Sequence, residues 1–127
     1  RSLVVGRPVS MMLQAKDATV TMCHTKTRDL AHVCSQADVL VVAAGCPGLI
    51  GADAVRSGQV VIDAGVNWDA RAGRLVGDCR FDEVEPIVRA VTPVPGGLGA
   101  VTTAVLCKHV VNAAEVAAGE ECAHGGR

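Results

Sequence analysis

Apolar positions fall into two kinds of pattern along this chain. Val9, Met12 and Leu13 recur at i, i+3, i+4 and predict a helix over Pro8–Ala15, with a proline in its first turn. Leu30, Val33, Cys34 and Ala37 recur at i, i+3, i+4, i+7 and predict a second helix, with Thr27 as its cap and Asp29 in its first turn. Val39–Ala43 and Val60–Ile62 are instead continuous apolar runs, stopped by Gly45, Pro47 and Gly48 and by Asp63 and Gly65. Runs of that kind fit central parallel strands, buried on both faces. Thr19–Cys23 opens with three β-branched residues and predicts another strand.

The remaining segments are shorter or less regular. Gly51–Ser57 leaves room only for a short helix. Trp68–Gly77 is polar and glycine-rich and reads as a loop. Asp82–Arg89 reads as a helical turn, and Val91 starts a short strand that ends at Thr92-Pro93. Ala100–Ala118 is free of Gly and Pro and predicts a long helix. Its first half is apolar almost all round, so cover on two sides is expected. Glu120–Arg127 is a charged, glycine-rich tail expected to fray.

Strands alternating with helices argue for an α/β layered domain with a mostly parallel sheet. In such sheets ligands bind beyond the carboxyl ends of the strands. Composition adds restrictions. With one Trp, one Phe and no Tyr, the core must be built from Val, Ala, Leu and Ile. The formal net charge of −1 predicts neither nucleic acid nor an anionic membrane as partner. The longest apolar run is too short to cross a bilayer, and RSLVVGRPVS lacks the apolar stretch of a secretory signal. The six cysteines include no C-x-x-C pair, and His24 beside Cys23 has no second pair to complete a zinc site. They read as small buried hydrophobes in a reducing compartment.

Five turns flank the predicted strands and helices: RSLVVGRP at 1–8, CHTKT at 23–27, AAGCPG at 43–48, DAGVN at 63–67 and TPVPGGLG at 92–99. All are rich in Gly, small side chains or hydroxyls, so their backbone amides are expected to approach a phosphate closely. Taken singly, Gly6, Gly45 and Gly65 also read as a turn residue, a strand stop and a tight corner. A G-x-G-x-x-G fingerprint is absent.

In sequence, RSLVVGRP, ATVTMCHTKT, ADVLVVAAGCPG, VVIDAGVN, LVGD and TPVPGGLGAVT resemble the methylenetetrahydrofolate dehydrogenase/cyclohydrolase family. The likeness covers roughly residues 1–112, and the last block is highly specific. It implies a two-domain enzyme whose Rossmann-like domain binds NADP or NAD. That enzyme oxidises 5,10-methylenetetrahydrofolate to the methenyl form and hydrolyses it to 10-formyltetrahydrofolate. It also implies site residues: Arg1 and Ser2 at the cofactor phosphates, and Thr25 in the second turn, where the family usually has Ser. Ala44, Gly45 and Cys46 would lie along the dinucleotide, Gly65, Val66 and Asn67 near its nicotinamide half, and Thr102 near the cofactor. Pro95, Gly96 and Gly99 would border the folate pocket. The family usually reads G-G-V-G-P-M-T where this chain has Gly96-Gly97-Leu98-Gly99-Ala100-Val101-Thr102. Ala100 thus replaces a proline that would rigidify the helix start, and a folate pocket of altered shape is expected.

An NAD-specific site usually carries a carboxylate at the end of the second strand to hold the ribose hydroxyls. That stretch is here Cys23-His24-Thr25-Lys26, with no carboxylate before Asp29. NADP is therefore expected in preference to NAD, with Arg1, Thr25 and Lys26 as candidates around the 2′-phosphate. Lys26 also reads as a solvated charge at a helix start. His24 reads as a turn residue that orients its loop, and Asp63 and Asp78 as residues that hydrogen-bond loop backbone.

A Rossmann unit also calls for a strand ahead of the RSLVVG turn, and no residue precedes Arg1. The expected fold is thus a Rossmann-like, doubly wound, mostly parallel sheet with flanking helices and its first strand missing. Residues 1–112 would form the cofactor domain, and 113–127 the end of the last helix and the tail. The catalytic Tyr, Lys, Gln and Asp of the family belong to its other domain. Three readings stay open: the cofactor-binding portion of a cytoplasmic or mitochondrial, homodimeric folate enzyme; an inactive truncated product; and a stand-alone nucleotide-binding module. The TPVPGGLG block argues against the last, because a pure nucleotide binder needs no folate-facing loop.

Overall fold

The computed structural model describes residues 3–119; Arg1, Ser2 and the tail from Glu120 lie outside the described residues. The elements, in chain order, are α1 (Gly6–Gln14), α2 (Leu30–Ser35), β1 (Val39–Val42), a single 3-10 turn (Ala52–Ala54), β2 (Val60–Asp63), β3 (Asn67–Asp69), β4 (Arg74–Val76), α3 (Phe81–Val84), β5 (Ala90–Val91) and α4 (Leu98–Ala117). The two continuous apolar runs form neighbouring parallel strands, with Val39 opposite Val60 and Val42 opposite Asp63. β5 joins the other side of β2 in the same direction, giving the order β1-β2-β5. Every strand of this sheet therefore ends at one edge, as the α/β reading requires.

The core lies on the face covered by α2, the 3-10 turn and α3. Val42, Ile50, Ala54, Val55, Val61 and Val84 are buried there with Cys34 and Cys79. Gln59 is fully buried among them, and it is satisfied on both sides. Its Nε2 donates to the carbonyls of Cys34 (2.8 Å) and Ala37 (2.9 Å), and its Oε1 accepts from the Arg56 amide (3.3 Å). It thereby closes the carboxyl end of α2, where helix carbonyls lack intrahelical partners.

Several expectations need correction. Residues 19–23 form no strand, and no backbone–backbone hydrogen bond involves them among the described residues. β-branched propensity favours an extended chain, but a strand exists only when a neighbour takes its amides and carbonyls. Thr27 does not cap α2. Its Oγ1 accepts instead from the His24 amide (2.8 Å), while the Asp29 carboxylate caps the helix through the His32 amide (3.3 Å). The stretch from 68 to 77 is largely an antiparallel hairpin, β3–β4, and not a loop. Its turn is made by the Asp69 carboxylate, which accepts from the amides of Arg71 (2.8 Å) and Ala72 (3.1 Å), and by Gly73 at φ +61°. The helix expected over 51–57 shrinks to the 3-10 turn.

The cover expected over α4 is also absent among the described residues: Val101, Val105, Leu106, Val110 and Val111 are exposed. Nor are the cysteines uniformly buried. Cys34 and Cys79 are, but Cys46 and Cys107 are exposed, and all five described thiols are free. No helix among the described residues is long and apolar enough to cross a membrane.

Candidate functional site

The turns after β1, β2 and β5 meet at the carboxyl edge of the parallel sheet, and two buried aspartates hold them together. Asp63 is the last residue of β2 and is 3% exposed. Its Oδ1 accepts from the amides of Gly65 (2.8 Å) and Asp78 (3.1 Å), and its Oδ2 from the amide of Cys79 (2.8 Å). Its own amide donates to Thr92 Oγ1 just after β5 (2.8 Å). A short bridge between Ile50 and Cys79 fixes the 77–80 segment beside the turn that follows β1.

Asp78, delivered by that bridge, is fully buried. Its Oδ2 accepts from the amides of Ala44 (2.6 Å) and Gly45 (2.8 Å); its Oδ1 accepts from the Cys46 amide (3.0 Å) and Asn67 Nδ2 (2.8 Å). One carboxylate thus holds both the turn after β1 and the turn after β2. Burying a carboxylate is costly unless its oxygens are satisfied, and here amide donors supply all the hydrogen bonds described. Hydrogen bonds to charged groups contribute about 1.5–3 kcal/mol each, so this base is rigid.

The glycines here are required by close approach. A Cβ on Gly65 would collide with the Asp78 carboxyl carbon and lie 2.6 Å from its backbone nitrogen. A Cβ on Gly77 would collide with the Asp63 carboxylate. Gly45 is different: it sits at φ +66° with open space around it. The pairing of Asp63 with the 77–79 segment also sets the chemistry of Cys79. Burial, and then the Asp63 carboxylate, push its thiol well above the ordinary range. Burial likewise pushes Cys34 up to about 11, with Cys23 adding to the effect. Neither thiol is a ready nucleophile.

The amides of the turn after β1 were expected to face a phosphate, and they do not. Those of Ala44, Gly45 and Cys46 all point inward to Asp78. Sequence reasoning had Asp63 and Asp78 as residues that bind loop backbone, and both do so. The amides of Ala44, Gly45 and Cys46, 32–34 residues from Asp78, carried no local signal. Thr92 and Gln59 were missed outright.

The other candidate residues lie around this base. Ala44, Gly45, Cys46 and Val66 are exposed, Gly65 is buried and Asn67 is half-buried. Thr25 is exposed in a turn whose geometry His24 sets: its carbonyl accepts from the Thr27 amide (2.8 Å) and its Nδ1 from the Lys26 amide (3.1 Å). Pro95, Gly96 and Gly99 are exposed between β5 and the first turn of α4, with Gly96 at φ +106°. Thr102 is exposed on α4, and its hydroxyl donates back to the Leu98 carbonyl (2.9 Å). No hydrogen bond among the described residues joins Thr25 or 95–102 to Asp78. Arg1 and Ser2 lie outside the described residues. Beside the site, a cavity of about 460 Å³ opens between the β3–β4 hairpin, the 77–83 segment and the loop after β5, with Arg74, Arg80, Asp69 and Asp82 on its wall.

Residues 1–118 match the family model for the NAD(P)-binding domain of tetrahydrofolate dehydrogenase/cyclohydrolase. The bifunctional protein FolD of Carboxydothermus hydrogenoformans is 54% identical over 117 residues, which are 91% of this chain and 41% of that protein. The bifunctional FolD dehydrogenase/cyclohydrolase of Campylobacter jejuni superposes with a TM-score of 0.85 at 44% identity, over 91% of this chain and 40% of that one. The Trypanosoma brucei enzyme, solved with NADP cofactor and inhibitor, superposes at 0.79 with 40% identity, over 87% of this chain and 40% of its own. The chain thus spans about two fifths of the length of the curated relatives it matches.

Proposed function

The chain belongs to the tetrahydrofolate dehydrogenase/cyclohydrolase family through its NAD(P)-binding domain, and from that membership we propose that it is the cofactor-holding portion of a bifunctional folate enzyme. The proposed enzyme oxidises 5,10-methylenetetrahydrofolate to the methenyl form and hydrolyses that to 10-formyltetrahydrofolate. NADP, when bound, supplies the hydride acceptor for the first step. The observation that carries the reading is the fastening of turns 44–46 and 65–67 to the single carboxylate of Asp78, at the carboxyl edge of a parallel sheet. That edge is where dinucleotides bind in open α/β sheets.

The residues fit such a cofactor. A rigid buried base supports an exposed rim of small residues, Ala44, Gly45 and Val66, against which a flat ligand can lie. We assign Arg1, Ser2, Thr25, Ala44, Gly45, Cys46, Gly65, Val66, Asn67 and Thr102 to the cofactor, and Pro95, Gly96 and Gly99 to the edge of the folate pocket. No carboxylate stands between Cys23 and Arg28 to bind a free 2′-hydroxyl, which favours NADP over NAD. The same reading makes the enzyme a cytoplasmic homodimer acting on tetrahydrofolate derivatives, with its catalytic groups in a domain outside this chain.

Calorimetric titration of the purified chain with NADP, and separately with NAD, tests the assignment. Binding of NADP at least tenfold tighter than NAD supports it. Equal affinity refutes the 2′-phosphate reading, and no binding to either refutes the cofactor site. The chain by itself is expected to turn over no methylenetetrahydrofolate, and measurable turnover by residues 1–127 would overturn that.

A further inference from the structure

We draw no further inference here: the strongest candidate, the exposed apolar surface of α4 along Val101, Val105, Leu106, Val110 and Val111, carries nothing because nothing in the structure shows what covers it.

Discussion

Gly65→Ala is the sharpest mechanical test of the site. The added methyl would collide with the Asp78 carboxyl carbon, 2.5 Å from its Oδ1 and 2.6 Å from its backbone nitrogen. Asp78 is fully buried, so it has no solvent into which to retreat. Overpacking alone costs about 1–3 kcal/mol. If the carboxylate shifts, Oδ1 loses the Cys46 amide and Asn67 Nδ2, at about 1.5–3 kcal/mol for each hydrogen bond to a charged group. A total of about 4–9 kcal/mol is expected, a large share of the roughly 5–15 kcal/mol that stabilises a typical domain. Gly45→Ala is the control. It meets nothing within 4 Å and costs only the strain of φ +66°, about 1 kcal/mol. Urea unfolding followed by far-ultraviolet circular dichroism measures both. A Gly65→Ala loss no larger than that of Gly45→Ala would show that Asp78 does not stand where we describe it.

Other predictions follow from single contacts. Gln59→Leu should destabilise the chain by about 2–4 kcal/mol in the same urea assay, because two carbonyls at the end of α2 and the Arg56 amide lose their partner. Iodoacetamide at pH 8 should label exposed Cys46 and Cys107 well before Cys34 and Cys79, read by peptide mass spectrometry; prompt labelling of Cys34 would contradict its burial. The Cys34 thiol is raised from 9.0 to about 11 in the fold, so only the unfolded chain ionises it between those values. Its contribution is present below pH 9 and is lost as pH rises towards 11, so stability measured by urea should fall over that window and should not rise. Arg1→Ala in the full-length enzyme should weaken NADP far more than NAD; equal losses in titration would remove Arg1 from the 2′-phosphate site.

Much of this arrangement is written in local patterns. The continuous runs Val39–Ala43 and Val60–Ile62 predict parallel strands, and the strands form over Val39–Val42 and Val60–Asp63. Val39 is nevertheless exposed and Leu40 and Val41 are only half-buried, so β1 is not covered on both faces. α4 is legible because twenty residues pass with no break except Gly99 in the first turn. What stays hidden depends on partners. Thr19–Cys23 has strand composition and no strand, since pairing is not a property of one segment. One face of the β3–β4 hairpin carries Trp68 opposite Leu75, both exposed, and each strand is only three residues long, too short for alternation to mark it; only Asp69 and Gly73 signal its turn. The pattern makes Thr27 the cap of α2 and puts Asp29 in its first turn, and only the backbone geometry shows Asp29 to be the cap. At the site, glycine and aspartate positions are visible in DAGVN and VGD. That one carboxylate would draw the amides of 44–46 inward could not be read, because those amides lie more than thirty residues from Asp78.

Nuclear magnetic resonance mapping of NADP on the isotope-labelled chain tests the central claim most directly. Shifts concentrated at the 43–48 and 63–67 turns and around Thr25, with α3 and the hairpin tip near Gly73 unaffected, are the predicted result. Shifts centred on the cavity around Arg74 and Arg80, or no shifts at all, would contradict it.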